Sequence, residues 1–337
     1  MKRSTKLIAL MMVLTLVIGI FAGCSSPAKT TEPAADAPKT DAPAKVEQFF
    51  VNIGTGGTAG TYFPLGGAFA EIWNNTIPGI NATAQSTGAS VANINLLEDG
   101  KIEVAIVQND VAMYAHDGKI MFDGKAYDKL RGLATLYSEP LQIITTDPSI
   151  KSIADLKGKK IAVGSIGSGV EANARQIIAA AGMDFDKDIK AKFLSFSEAA
   201  ASLKDKQIDA AFLTAGIPTA AIQDLGAQNT VTVVPIGEEL SKTLKEKYKF
   251  FTDFIIPANT YKGQSEDIHT LTVKSMLVVS SDMDDELAYN LVKAIYDNHD
   301  RVVAAHNVGK YITVDSALDG MSVPVHPGAA KFFDESK

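Results

Sequence analysis

Cysteine is nearly missing from this chain: Cys24 is the only one among 337 residues, so no internal disulfide can brace the fold. Basic residues are in the minority, 32 Lys and Arg against 39 Asp and Glu, and the formal charge is -7. An acidic body of this kind argues against a nucleic-acid partner. The histidines, His116, His269, His299, His306 and His326, show no metal-ligand spacing, so neither a metal nor another cofactor is expected. The apolar run Leu7 to Gly23 is too short and too abruptly ended to span a bilayer.

What is present at the N-terminus points to export. Lys2, Arg3 and Lys6 precede that apolar run, as in a signal peptide covering 1–23, and the run stops at Phe21-Ala22-Gly23-Cys24. A small pair before a lone cysteine resembles a bacterial lipobox, which implies lipidation of Cys24 and an extracytoplasmic protein held to the cell membrane by that lipid. The next segment, "SSPAKTTEPAADAPKTDAPAKV", has almost nothing to bury, so 24–46 is expected to be a disordered tether. Removing 1–23 takes away three basic and no acidic residues, and the charge becomes -7 - 3 = -10. About 290 residues then remain, large for one core and suited to two lobes.

The remainder repeats itself. "LLEDGKIEVAIVQND" (96–110) matches "SLKDKQIDAAFLTAG" (202–216) at a constant offset of 106. In each, an amphipathic helix turns into a buried strand that ends at a polar residue, Gln108 or Thr214. Likewise a strand, a Gly-rich loop and a helix follow one another at Gln48–Asn74 and again from Lys160, with loops at Gly54 and Gly164. The pattern predicts α/β architecture, two lobes of like topology on mostly parallel sheets, with ligands at the carboxyl ends of the strands.

The first loop, Gly54-Thr-Gly56-Gly-Thr-Ala59, satisfies a dinucleotide fingerprint in isolation. Its second strand, however, ends in Gln85-Ser86-Thr87-Gly88 with no carboxylate for a ribose, so the context fails. The five segments expected to face a cleft, 53–63, 85–93, 107–112, 164–171 and 212–218, contain no Lys and no Arg. They offer Thr, Ser, Gly, Asn and Gln beside helix N-termini, which suits a small carboxylate bound by backbone N–H groups and hydroxyls. Asp110 and Glu171 are the carboxylates in these segments; each can accept a ligand ammonium or serve the start of its own helix. Tyr62 is expected either to wall the ligand or to pack in the core, and Trp73 to be core. Gly88-Ala-Ser90-Val-Ala92 approaches a nucleophile elbow but ends in Ala, so Ser90 is expected to be a helix N-cap.

The stretches "IGTGGTAGTYFPLGGAFAEIWN", "STGASVANINLLEDGKIEVAIVQND", "LRGLATLYSEPLQII", "SIADLKGKKIAVGSIGSGVEANARQII", "FLTAGIPTAAIQDL", "IPANTYKG" and "VHPGAAKFF" together resemble the TAXI family, the extracytoplasmic solute-binding proteins of TRAP (tripartite, ATP-independent, periplasmic-type) transporters. The likeness is more distant to binding proteins for aromatics, nitrate and thiamine precursors. The resemblance implies a non-enzymatic, periplasmic-binding-protein-like (type II) fold with a two-strand hinge near 137–141 and 274–278. It places lobe 1 at 47–138 and 278–337 and lobe 2 at 139–277, with a helix from about Asp284 to His306 returning to lobe 1. It implies an amino-acid or organic-acid ligand (glutamate, glutamine or a related dicarboxylate), delivery to TRAP permease subunits, and a monomer. Ligand contacts would fall on Thr55, Gly57, Tyr62, Ser90, Asn93, Gln108 and Asp110 from the first lobe and Ser168, Gly169, Thr214, Gly216 and Pro218 from the second. Alternatives are the same fold serving an ABC importer or a ligand sensor, and a secreted serine hydrolase acting through Ser90.

Overall fold

The computed structural model describes residues 48–337; the signal segment, Cys24 and the tether expected from sequence lie outside the described residues. The chain opens with β1 (Phe49–Gly54), α1 (Tyr62–Thr76), β2 (Ile80–Gln85), α2 (Ser90–Glu98), β3 (Val104–Gln108) and α3 (Asn109–Asp117). The long strand β4 (Leu130–Thr145) follows, and then the same order recurs: β5 (Lys160–Ala162), α4 (Gly169–Ala180), β6 (Lys190–Lys192), α5 (Phe196–Lys204), β7 (Ala210–Thr214) and α6 (Ala220–Gln228). The rest comprises β8 (Thr232–Val234), α7 (Glu238–Lys247), β9 (Thr252–Ile256), a second long strand β10 (Ile268–Ser280), then α8 (Asp285–Asp297), α9 (His299–Ala305) and α10 (Pro327–Glu335).

Each series builds the same three strands. β1 lies between β2 and β3, all parallel, and β5 lies between β6 and β7, all parallel. Parallel strands need crossovers, which the intervening helices supply. β10 runs antiparallel to β3, β4 runs antiparallel to β7, and the two long strands pair with each other. The resulting order, β2-β1-β3-β10-β4-β7-β5-β6, has the same plan from either end. The offset legible in the sequence holds in space, since β7 begins at 210 and β3 at 104, and α5 begins at 196 and α2 at 90, each a difference of 106.

Apolar side chains pack on both faces of the sheet. Ile53, Phe69, Trp73 and Leu291 belong to one cluster over β1 and β3, and Ile94, Val107 and Val111 to another on the opposite face. The β5 and β7 end repeats this with Ile161, Ile177 and Phe212 on one side and Leu203, Leu213 and Ile222 on the other. Trp73 is fully buried, as expected, stacks on Phe69 at 6.1 Å and donates its indole N–H to the Leu291 carbonyl at 2.9 Å.

One expected element is divided. The helix expected over 284–306 breaks at Asn298, whose φ of -117° leaves the helical region and whose Nδ2 donates to the Ala294 carbonyl at 2.9 Å. An Asn side chain that bonds the preceding turn competes with the backbone for the same acceptor and permits the bend.

Because Trp73 fills the core and its indole N–H serves a buried carbonyl, Trp73→Phe should lower the unfolding free energy by about 2–3 kcal/mol through a small cavity and one lost hydrogen bond. Urea titration followed by circular dichroism checks this, and a loss below about 0.5 kcal/mol would contradict the packing.

Candidate functional site

β4 exchanges neighbours midway. Up to Pro140 it pairs with β10, and from Leu141 it pairs with β7. A cleft opens beside this exchange, where the carboxyl ends of β1, β3, β5 and β7 and the helices that follow come together, and it holds about 540 Å³ of empty space counted to its mouth.

One wall is built by the β1–α1 loop (Gly56, Gly57, Gly60, Thr61, Tyr62) and the start of α2 (Thr87 to Ser90). The facing wall comes from the β5–α4 loop (Ser165, Ser168, Gly169, Val170), from Ser195 and Phe196 at the start of α5, and from the end of β7 (Thr214, Ala215). Four helices therefore begin at the cleft. Each presents N–H groups without intrahelical acceptors and about half a positive charge from its dipole. Among the described residues no Lys, Arg or His lines the space, and the ionisable side chains there are Tyr62 and Glu139.

Local chemistry explains how each wall is held. Ser168 caps α4 by accepting the Glu171 N–H at 3.1 Å, and Ser195 and Glu198 cap α5 reciprocally. Gly169 lies against Gln108 so closely that a Cβ would fall 1.3 Å from its Oε1. Ser90 is not the expected N-cap. Ala89 holds that position at φ 70°, ψ -149°, while Ser90 Oγ accepts the Gln108 N–H at 3.1 Å across to β3. Bonding to β3 diverts the hydroxyl from the helix start and leaves the strain of a positive φ on Ala89, a cost of about 1–3 kcal/mol that tends to persist where function requires it.

The walls touch through hydrogen bonds. Gln108 Nε2 donates to Asn173 Oδ1 at 2.7 Å, Asn173 Nδ2 donates to Asp110 Oδ2 at 2.9 Å, and the Val91 and Ala92 N–H groups both donate to the Gly167 carbonyl at 3.1 Å. Thr214 Oγ1 donates to the same Asn173 oxygen at 3.1 Å.

Of the residues expected to contact ligand, Gly57, Tyr62, Ser90, Gln108, Ser168, Gly169 and Thr214 line the cleft. Thr55, Asn93, Asp110, Gly216 and Pro218 do not. Thr55 is fully buried and donates its hydroxyl to the Gln85 carbonyl at 2.6 Å. Asn93 is equally buried and clamps the Thr55 and Ile106 carbonyls at 2.6 and 2.9 Å, so it shapes the loop from behind. Gly216 packs behind Thr61 and Tyr137, and Pro218 follows a cis peptide bond with Ile217. Asp110 sits in the first turn of α3, where burial pushes its carboxyl up to about 6 against the opposing effects of hydrogen bonds from the Val111 N–H and Asn173. Glu171 serves its own helix start by accepting the Gly167 N–H at 3.0 Å and pairing with Arg175.

The sequence reading passed over Glu139, Ser195 and Phe196. Glu139, 1% exposed, accepts the Tyr62 hydroxyl at 2.8 Å and the Tyr137 hydroxyl at 3.0 Å. Burial raises its pKa to about 8; the two phenols act to lower it and Asp110 adds to the rise. The signal was available as the single carboxylate in the long strand "LRGLATLYSEPLQIIT". Ser195 is the counterpart of Ala89 at the repeat offset, 195 - 89 = 106.

Crossovers, paired central strands and a cleft at the strand exchange define an α/β, periplasmic-binding-protein-like fold. The chain belongs to the NMT1-like family, whose profile matches residues 53–336. Among solved structures it is similar to a protein of Bordetella bronchiseptica RB50, at 17% identity over 86% of this chain and 90% of that one, TM-score 0.53. It is also similar to the periplasmic aliphatic sulphonate binding protein SsuA of Escherichia coli, at 16% identity over 85% and 82%, TM-score 0.46. Among the described residues no helix is long and apolar enough to cross a membrane.

A carboxyl raised by burial keeps its proton in the folded state where the unfolded chain has released it. Its contribution to stability is therefore full below pH 4.5 and falls as pH rises through about 8. Wild type should lose stability over this window by up to about 1.4 kcal/mol per pH unit relative to Glu139→Gln. Denaturation midpoints of both proteins at several pH values check this, and parallel curves would refute it.

Proposed function

We propose that this protein is an extracytoplasmic solute-binding protein that captures a small carboxylate (glutamate, glutamine or a related dicarboxylate) and delivers it to a TRAP-type secondary transporter. The observation that carries the reading is the cleft itself: four helix starts and hydroxyls converge on one space that no basic side chain enters. Such donors suit a small anion better than a polyphosphate, which would call for Lys or a metal. The hydrogen bonds between the walls fit a clamshell whose jaws are 47–138 with 278–337 and 139–277, hinged at β4 and β10, closing as a population shift when ligand bridges them. Lipidation at Cys24 would keep the binder beside its permease.

The TAXI resemblance favours the TRAP assignment, and the same cleft fits an ABC importer equally well. Reconstitution with TRAP or ABC membrane subunits separates them: uptake driven by an ion gradient without ATP supports TRAP, and ATP-dependent uptake supports the other. A serine hydrolase is disfavoured, since no histidine lines the cleft and Ser90 Oγ is occupied by the Gln108 N–H.

Mass spectrometry of co-purified ligand and a thermal-shift panel of dicarboxylates and amino acids test the reading directly. A rise in Tm with at least one compound is expected. Because the donors are fixed dipoles in an enclosed space, Kd should change less than about threefold between about 0.05 and 0.5 M salt. A steep loss of affinity would point to a basic side chain as the main anchor.

A further inference from the structure

A buried carboxyl that faces the Asp110 carboxyl, with no cation facing it among the described residues, is a poor partner for a purely anionic ligand. Glu139 lines the cleft, and each of its oxygens accepts one phenolic hydroxyl, which leaves lone pairs free on both. A side chain there that merely packed would serve stability better as an apolar residue, since burying a carboxyl costs free energy even when it is protonated and partly hydrogen-bonded. At the same cleft Thr61 Oγ1, 2% exposed, has no hydrogen-bond partner among the described residues although Thr61 stands at the start of α1. One end of the space thus asks for a cation or donor, and the walls ask for an anion.

We infer that the ligand is an α-amino acid whose ammonium group sits on Glu139 while its carboxylate takes the helix starts and the Thr61 hydroxyl. The inference rests on the solute-binding reading above and narrows it. A dicarboxylate without an amine would bring two negative charges to a site that has no cation to meet them, and like charges at close range oppose each other. An amino acid supplies the missing positive group, and the remaining negative charge falls to the dipoles.

The proton balance distinguishes this arrangement from its rival. The groups facing Glu139 are Tyr62 from α1, Tyr137 on β4 itself, the Asp110 carboxyl of α3, and the hydroxyls of Ser275 (β10) and Ser90 (α2), the last two lying beside the phenols. None is cationic. With its pKa raised to about 8, Glu139 holds a proton at neutral pH in the empty site. An arriving ammonium displaces that proton to solvent, so affinity should climb as pH rises from 6 to 8. A plain acid would instead need the proton kept on Glu139 to donate to its own carboxylate, and its affinity would fall over the same range.

The test uses the whole chain. Thermal shift with the twenty L-amino acids identifies the best binder, which is then titrated calorimetrically against its deamino analogue, in two buffers of different ionisation heat. The expected result is at least about 30-fold weaker binding of the deamino acid, proton release on binding of the amino acid, and a gap reduced to below about 5-fold in Glu139→Gln. Should that variant fail to fold, Tyr62→Phe and the proton count on wild type decide: release supports the inference and uptake overturns it. Equal affinity for the amino acid and its deamino analogue also overturns it. So does binding of glutarate or 2-oxoglutarate with no amino acid bound, although that outcome upholds the broader solute-binding function. Binding of neither class defeats both readings.

Discussion

The arrangement depends on one desolvated carboxyl. Glu139 stands one residue before Pro140, the last position at which β4 pairs with β10, so its side chain enters the cleft where the two halves of the sheet meet. Two phenols hold its oxygens, and neither brings a charge. Hydrogen bonds from neutral donors recover part of the cost of burial but do not cancel it, which is why the group's pKa is high and why it keeps its proton at neutral pH. The helix starts on both walls supply positive potential nearby, spread over several N–H groups instead of concentrated on a guanidinium or ammonium.

The walls around this carboxyl are joined by few and weak contacts, which suits the closure proposed above. The bridges between the walls are side-chain amides and hydroxyls, Gln108 to Asn173, Asn173 to Asp110 and Gln176 to Tyr114, with two N–H groups of α2 shared by the Gly167 carbonyl. Each such bond contributes about 1 kcal/mol net, because in an open form water would take its place. A handful of them sets two arrangements within reach of each other, and a ligand that touches both walls can tip the balance with an ordinary binding energy. Asn173 is central: its oxygen accepts from Gln108 and Thr214 while its nitrogen donates to Asp110, so the expected contact residues Gln108 and Thr214 are tied together through a residue that does not itself line the cleft.

Much of the frame was legible because the two series of elements share an offset of 106, and because the loops that follow their strands are rich in glycine and hydroxyls. Two of the expected contact residues lie behind the cleft for one physical reason. Thr55 and Asn93 belong to the right loops, but a loop has an inner and an outer side, and composition does not say which side a polar group takes; both turn inward to satisfy buried carbonyls. Ser90 looked like a cap because hydroxyls usually cap, yet the Gln108 N–H on the neighbouring strand claimed it. Glu139 was not legible because it lies on a strand that changes partners, and partner exchange is a property of the assembled sheet.

The internal repeat also shows where the molecule departs from its own symmetry. Gln108 pairs with Ser275, and its counterpart Thr214 pairs with Leu141, so β10 and β4 correspond with an offset of 275 - 141 = 134. By that rule the counterpart of Glu139 is residue 273, and Val273 is the residue paired directly with it. The pseudo-twofold axis therefore passes between Glu139 and Val273, a carboxyl and an isopropyl group at equivalent places, both 1% exposed. Two like series facing each other offer a nearly symmetric ring of N–H donors, which by itself has no means of telling one end of a ligand from the other. A single acidic residue at the axis breaks the equivalence. Duplication thus accounts for the donors, and one substitution at its axis accounts for the direction in which a ligand must lie.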